Sequence, residues 1–408
     1  MSKPNEETKY GPDFVKSHAR EILDFYLPGC VDEQVGGFYQ GYLRDGSVYD
    51  KETKDLIGTA RFVVDFSLAE QMVESGEYDS LIEHGLSFLL NEHRDQEQRG
   101  YFQHLSGREP DRERKKLTYS HAFVILALSS ALKAGFPETK PYIIDTFNLL
   151  EENLWEEKSG LYATEASRDF SGVPSYRGQN ANMHMVEALI MAYEATHNET
   201  YLNRATGICK RVTQGLAEQT DGLIWEHYTA RWEIDPDYNR DDPENIYRPF
   251  GFLPGHQIEW AKLLLILERH NRKPWQKPTA IRLFDRALEY GWDRDREGFI
   301  YTFDFDREVL NRDRYYWVHA EAIATAYLLW KRTGELEYFT WYERFWDYSL
   351  ENLVDSEFGG WYRVVSPSGK PSSNRKSIPG KTDYHAVNTC YEIYRTGNNQ
   401  LEDMSSDN

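Results

Sequence analysis

Six side chains able to handle protons or charge recur along the chain at a nearly constant interval. Arg61, His121, His184, His256, His319 and His385 are separated by 60, 63, 72, 63 and 66 residues. Five of the twelve histidines therefore occupy one repeat-equivalent position, and an arginine takes the sixth. Imidazole titrates near neutrality, so converging histidines suit general acid–base work. They would also suit zinc, manganese or iron. However, neither an HExxH nor an HxH pairing occurs, and carboxylates do not stand at ligand spacing around them. Proton transfer without a metal is the expectation.

Two neighbourhoods sharpen it. In Pro254-Gly255-His256-Gln257-Ile258-Glu259-Trp260 the histidine and the glutamate stand three apart, on one helical face, where a carboxylate can fix an imidazole tautomer. In Lys381-Thr382-Asp383-Tyr384-His385 the aspartate can cap a helix that carries His385 inward. His121 and His319 are followed by plain apolar helix and are expected to be structural, while His93, His197 and His270 lie in polar outer stretches and are expected to be solvated. A Pro- and Asp-rich loop from Asp235 to Arg248 precedes His256 and suits a cover over a substrate. Arg248 at its end could reach a substrate hydroxyl or pin the loop.

These residues need a scaffold that brings distant segments to one place, and the chain carries a repeat that can build one. Gly37, Gly100, Gly160, Gly222, Gly298 and Gly360 each follow a polar stretch and open a short aromatic or β-branched run, a turn-then-strand signal. Their spacings are 63, 60, 62, 76 and 62, the long one holding the 235–250 loop. Between them lie two helical patterns per repeat, one amphipathic and one apolar almost all round. The twelve helices expected span 13–28, 57–74, 77–93, 118–134, 138–155, 181–197, 199–218, 255–271, 277–292, 315–333, 336–353 and 382–396. Six inner and six outer helices with short hairpin connections predict an all-α (α/α)6 barrel. Residues 1–408 then form one domain, with polar tails at about 1–11 and 398–408. An open helical solenoid is the structural alternative.

Composition narrows the partners. The 408 residues carry 67 Asp and Glu against 47 Lys and Arg, a formal charge of −20. That disfavours nucleic acid and anionic membrane surfaces. Cys30, Cys209 and Cys390 form no CxxC pair, and the polar N-terminus has no apolar signal core, so a cytoplasmic protein is expected. An aromatic fraction of 14% suits a core and also a cleft that stacks on sugars. The oligomeric state is left open, self-association included.

Arg177-Gly-Gln-Asn-Ala-Asn182-Met-His184, then Phe250-Gly-Phe-Leu-Pro-Gly-His256-Gln-Ile-Glu259-Trp, then Trp317 with Glu321, resemble the N-acylglucosamine 2-epimerase superfamily over nearly the whole chain. Within it the wording is closest to the bacterial aldose–ketose isomerase branch. The resemblance implies an (α/α)6 barrel acting on an unphosphorylated monosaccharide with no metal or nicotinamide cofactor. It implies that His256 and His385 are the catalytic pair, with Glu259 behind His256. It places Arg61 and His184 around the first two sugar carbons and Arg248 at the mouth. Tyr119, Asn182, Trp317 and Glu321 fall at pocket positions. The implied reaction interconverts D-mannose and D-fructose, and D-lyxose and D-xylulose by extension, through a cis-enediol. A 2-epimerase of mannose or cellobiose type is the nearest alternative. Ile57 stands where some isomerases of this branch have tryptophan, and His319 is outside the family pattern. A glycoside hydrolase would need paired carboxylates, for which Glu321 and Asp383 could be offered. A carbohydrate-binding module would explain the aromatics but not a His–Glu arrangement.

Overall fold

The computed structural model of the chain describes residues 8–398. Twelve α-helices occur among them: α1 Pro12–Asp24, α2 Leu56–Val73, α3 Asp79–Asn91, α4 Thr118–Lys133, α5 Lys140–Asn153, α6 Gln179–Thr196, α7 Glu199–Lys210, α8 Pro254–His270, α9 Gln276–Gly291, α10 Tyr316–Thr333, α11 Leu336–Asn352 and α12 Tyr384–Gly397. The even-numbered helices are the inner type. In α2 every residue from Leu56 to Glu70 is buried, and in α8 every residue from Pro254 to Glu268. The odd-numbered helices bury one stripe. In α1 that stripe is Val15, His18, Ala19, Ile22 and Leu23. This alternation of inner and outer helices is the (α/α)6 pattern.

The helices fall into two compact units. One comprises Leu27–Phe252 with Ser377–Tyr384. In it α2 packs on α4 and α4 on α6, while α3, α5 and α7 back them. The other comprises Leu253–Lys376 with the stretch up to Tyr26 and that from His385. In it α8 packs on α10, and α9 and α11 back those two. A side-chain hydroxyl locks two inner helices of this second unit together. Thr389 Oγ1 donates to Ala320 O at 2.7 Å, and Thr325 Oγ1, whose hydrogen goes to Glu321 O of its own helix at 2.8 Å, lies 3.2 Å from Ile258 O. Before α1, Tyr10 is buried against Phe14 and Trp346. Of the two polar tails read from the sequence, residues 1–7 and 399–408 lie outside the described residues.

Five of the six glycine segments form tight antiparallel pairs, joining Val31 to Phe38, Arg94 to Tyr101, Trp155 to Tyr162, Trp292 to Phe299 and Val354 to Trp361. The turn needs a left-handed residue, and φ is +68° at Gly100 and +78° at Gly298. The sixth segment differs. The chain leaves α7 through a π-helical stretch, Arg211–Leu216, and a 3₁₀ turn, Ala217–Thr220, so no such pair precedes Gly222. The expected helix over 199–218 is therefore α-helical only to Lys210.

An ion pair, buried at both ends in three of the five cases, fastens these hairpins to the helix that follows. Asp32 accepts from Lys54 at 2.8 Å, Asp95 from Lys116 at 2.8 Å and Glu156 from Arg177 at 2.6 Å. Asp293 accepts from Arg314 at 2.8 Å and Asp355 from Lys376 at 2.9 Å. The sequence separation is 22 in the first and 21 in the other four. In each aspartate the second oxygen caps its own turn. Asp32 Oδ1, for example, accepts from the N–H groups of Gln34 and Val35. Burial opposes the charged form of Asp32, but Lys54 and those N–H groups outweigh it and hold the carboxyl below its ordinary value. The sequence reading did not find these pairs.

Candidate active site

The repeat-equivalent histidines divide into two kinds. His121 Nδ1 donates to Leu117 O at 2.8 Å, and its Nε2 accepts from the Tyr101 N–H at 3.2 Å. His319 repeats this with Tyr315 O at 3.1 Å and the Phe299 N–H at 3.0 Å. Both rings use their two nitrogens to tie an inner helix to the hairpin beside it. Burial pushes His121 down to about 4 and His319 to about 3, so both stay neutral. They are structural, as expected. His93 is not solvated as expected. It is fully buried, bonded to Phe102 O and Thr59 Oγ1, and burial pushes it down to about 4. Its helix ends two residues early, at Asn91, and the hairpin folds back over it.

The second kind is found on α8 and α12. His256 stands two residues inside α8 and His385 one residue inside α12; they are 7% and 6% exposed. The half-buried indole of Trp317 lies 5.2 Å from the His256 ring and 5.6 Å from the His385 ring. Gly255 permits this. A Cβ there would sit 2.5 Å from two ring carbons of Trp317 and 2.8 Å from Val318 Cγ2. The spacing of these four residues thus makes one surface from two helix starts and an indole.

Behind His385 stands a carboxylate that the sequence reading had assigned elsewhere. Glu321, expected to touch substrate, is completely buried. Its Oε1 accepts from His385 Nδ1 at 2.8 Å, and its Oε2 lies 2.6 Å from Lys262 Nζ. Lys262 also donates to Asn388 Oδ1 at 3.3 Å. Glu259, expected behind His256, brings an oxygen within 4.8 Å of atoms of both Glu321 and His385. Three such groups are the kind that can gather round a cation, and the ammonium of Lys262 stands against one of them, Glu321. Lys262 escaped the sequence reading. Its signal was a charge inside the otherwise apolar run Trp260-Ala261-Lys262-Leu263-Leu264-Leu265.

The other unit places a second cluster. Arg61, 1% exposed, donates from Nη1 to Gly380 O at 3.0 Å and from Nη2 to Tyr119 Oη at 3.2 Å. Its guanidinium is 4.7 Å from the Phe123 ring and 5.1 Å from that of Tyr384. His184 meets Tyr119 and Phe123 edge-on or tilted at 4.9 Å, and its Nδ1 bonds Glu187 Oε2 at 3.0 Å. Arg61, Tyr119 and His184 are therefore neighbours, as expected. Glu187 was missed, although it repeats the i, i+3 spacing noted at His256.

Two of the expected pocket residues are held by bonds within the protein. Asn182 clasps the backbone of Tyr162, accepting from its N–H at 2.8 Å and donating to its carbonyl at 3.0 Å, which occupies the amide at both ends. Arg248 pins the loop. It pairs with Glu165 at 2.8 Å, donates to Tyr238 Oη at 3.0 Å and stacks over Tyr176. His227, unmentioned by the sequence reading, braces the same loop through Tyr176 Oη at 3.0 Å and Pro249 O at 2.8 Å.

Comparison with known proteins agrees with this architecture. The chain is 42% identical over 397 residues to a D-mannose isomerase of Marinomonas mediterranea, covering 97% of this chain and 99% of the relative. It is 36% identical over 376 residues to a D-mannose isomerase of Pseudomonas cannabina pv. alisalensis, covering 90% and 88%. A crystal structure of a D-mannose isomerase superposes with a TM-score of 0.92 at 42% identity, covering 97% of this chain and all of the other, and establishes the (α/α)6 fold. The family model described as N-acylglucosamine 2-epimerase matches residues 36–389. Matched over that span, with its histidines on inner-helix starts, the chain belongs to the N-acylglucosamine 2-epimerase family.

Proposed function

We propose that the protein is an aldose–ketose isomerase that interconverts D-mannose and D-fructose without a metal. The observation that carries this reading is the 2.8 Å bond from His385 Nδ1 to a buried, ion-paired Glu321. A carboxylate there accepts the Nδ1 proton and makes Nε2 the atom that takes and returns a proton. His256, whose ring also lies against Trp317, is assigned the acid that opens the sugar ring. His385 Nε2 then removes the C2 proton. The C–H electron pair becomes the C1–C2 double bond, and the carbonyl pair moves to O1, which takes a proton. Loss of the O2 proton forms the C2 carbonyl, and the double-bond pair takes the proton from His385 at C1. The resemblance assigns Arg61 and His184 to the oxygens where charge develops.

Metal independence is part of the proposal. It is supported by Lys262, which already neutralises the carboxylate that an ion would need. A second histidine beside the same indole also suits delivery of the proton by His256 to the other face of C2, which would make an epimerase. A hydrolase is disfavoured because Glu321 is engaged by His385 and Lys262 and buried away from a glycosidic bond. Among the described residues no helix is long and apolar enough to cross a membrane, and we place the protein in the cytoplasm.

Proton and carbon NMR of the purified protein with D-mannose in D2O and EDTA tests the reading. Fructose is the expected product. Glucose deuterated at C2 would make the protein an epimerase, turnover that needs added metal would overturn metal independence, and unchanged mannose would overturn the isomerase.

A further inference from the structure

We propose that Lys262 is a positioning residue that sets the tautomer of His385 through Glu321; this rests on His385 being the base of the proposed isomerisation. Two buried carboxylates, Glu321 and Glu259, bring oxygens within 4.8 Å of each other and of a His385 nitrogen. Like charges so close inside a protein force one group to take up a proton. Were Glu321 to do so, it would donate to His385 Nδ1 instead of accepting from it. The ring would then carry its proton on Nε2 and could not take one from C2.

Lys262 prevents this. Its ammonium lies 2.6 Å from Glu321 Oε2, with both side chains at most 1% exposed. An ammonium has only donors, so the carboxylate facing it must accept. Lys262 is held in register as well. Asn388 Oδ1 takes a second ammonium hydrogen at 3.3 Å, and Thr389 locks α12 to α10. The order Lys262, Glu321, His385 runs across three inner helices, so the charge on one sets the proton on another without touching the sugar. Tyr316 flanks His385 from α10, its ring 6.3 Å away; it carries no charge to compete at neutral pH.

The test is a double-mutant cycle with an NMR readout on ¹⁵N-histidine protein, using Lys262→Met, Glu321→Gln and the double variant. In the native protein His385 should show a protonated Nδ1. In Lys262→Met that signal should move to Nε2, with kcat down about 30-fold and KM within about twofold. In the Glu321→Gln background, Lys262→Met should lower kcat no further. The double variant carries no buried charge at either position, so it keeps the comparison available if Lys262→Met alone fails to fold. An unmoved His385 tautomer, or losses that multiply in the double variant, would overturn the proposal. The tautomer is read without turnover. A native protein that shows protonated Nδ1 but does not convert mannose would therefore defeat the isomerase reading and not this one.

Discussion

Lys54 Nζ and Asp32 Oδ2 meet at 2.8 Å inside the protein, one two residues before an inner helix and the other on the hairpin behind it. The Lys54 and Asp32 side chains are 0% and 2% exposed, so neither charge can turn to water. Lys54→Met leaves Asp32 buried without its cation and should cost about 3–5 kcal/mol. Urea unfolding followed by circular dichroism measures the loss. Adding Asp32→Asn should recover part of it, and equal losses in single and double variants would contradict the pairing.

Stability should fall on mild acidification. His93 and His121 are pushed down to about 4 and His319 to about 3 in the folded chain, against an ordinary 6.5. Unfolded imidazoles bind protons below 6.5 while the folded ones do not. Their contribution is therefore full above 6.5 and is lost as pH falls toward 4, at up to roughly 1.4 kcal/mol per pH unit for each ring. Calorimetric scans between pH 7.5 and 4.5 should show the melting temperature dropping throughout. A flat profile would mean that these rings are not neutral and buried.

Glu321→Gln should abolish most turnover while leaving the sugar bound. An amide can present its N–H to His385 Nδ1 and stabilise the wrong tautomer, for which a fall in kcat of about 100-fold or more is expected. Mannose KM should change little, because Glu321 is wholly buried. A rise in KM with kcat intact would return Glu321 to the sugar-binding role.

Gly255→Ala should act through Trp317. The new Cβ would meet the indole at 2.5 Å, and the ring must leave its place beside His256 and His385. Displacement by about an ångström at a reacting centre is worth up to about 100-fold in kcat/KM. Steady-state kinetics on mannose, with tryptophan fluorescence to report the ring, checks both halves.

Much of the scaffold was legible because periodicity is local. The apolar run that predicts a helix over 255–271 is observed as Pro254–His270, and the one over 315–333 as Tyr316–Thr333. The first helix stops at Asp24, short of the expected 28, as the chain turns toward Pro28. Residue type and repeat position single out His256, His385, Arg61 and His184, which all lie on inner helices. They did not find the carboxylate behind His385. Proximity along one helix suggests only the pairing of Glu259 with His256. The bonded partner of His385 is 64 residues away. Asn182 shares a motif with His184, and the clasp of its amide on the Tyr162 backbone is a contact that local spacing does not announce.

The buried hairpin pairs bear on how the protein meets salt. A chain of formal charge −20 repels itself across its surface, and dissolved ions screen that repulsion within a Debye length of about 8 Å at physiological strength. The attractions of Lys54, Lys116, Arg314 and Lys376 for their aspartates lie beneath the surface, where those ions do not reach. Added salt thus weakens what pushes the chain apart and spares what fastens it, so moderate ionic strength favours the folded state.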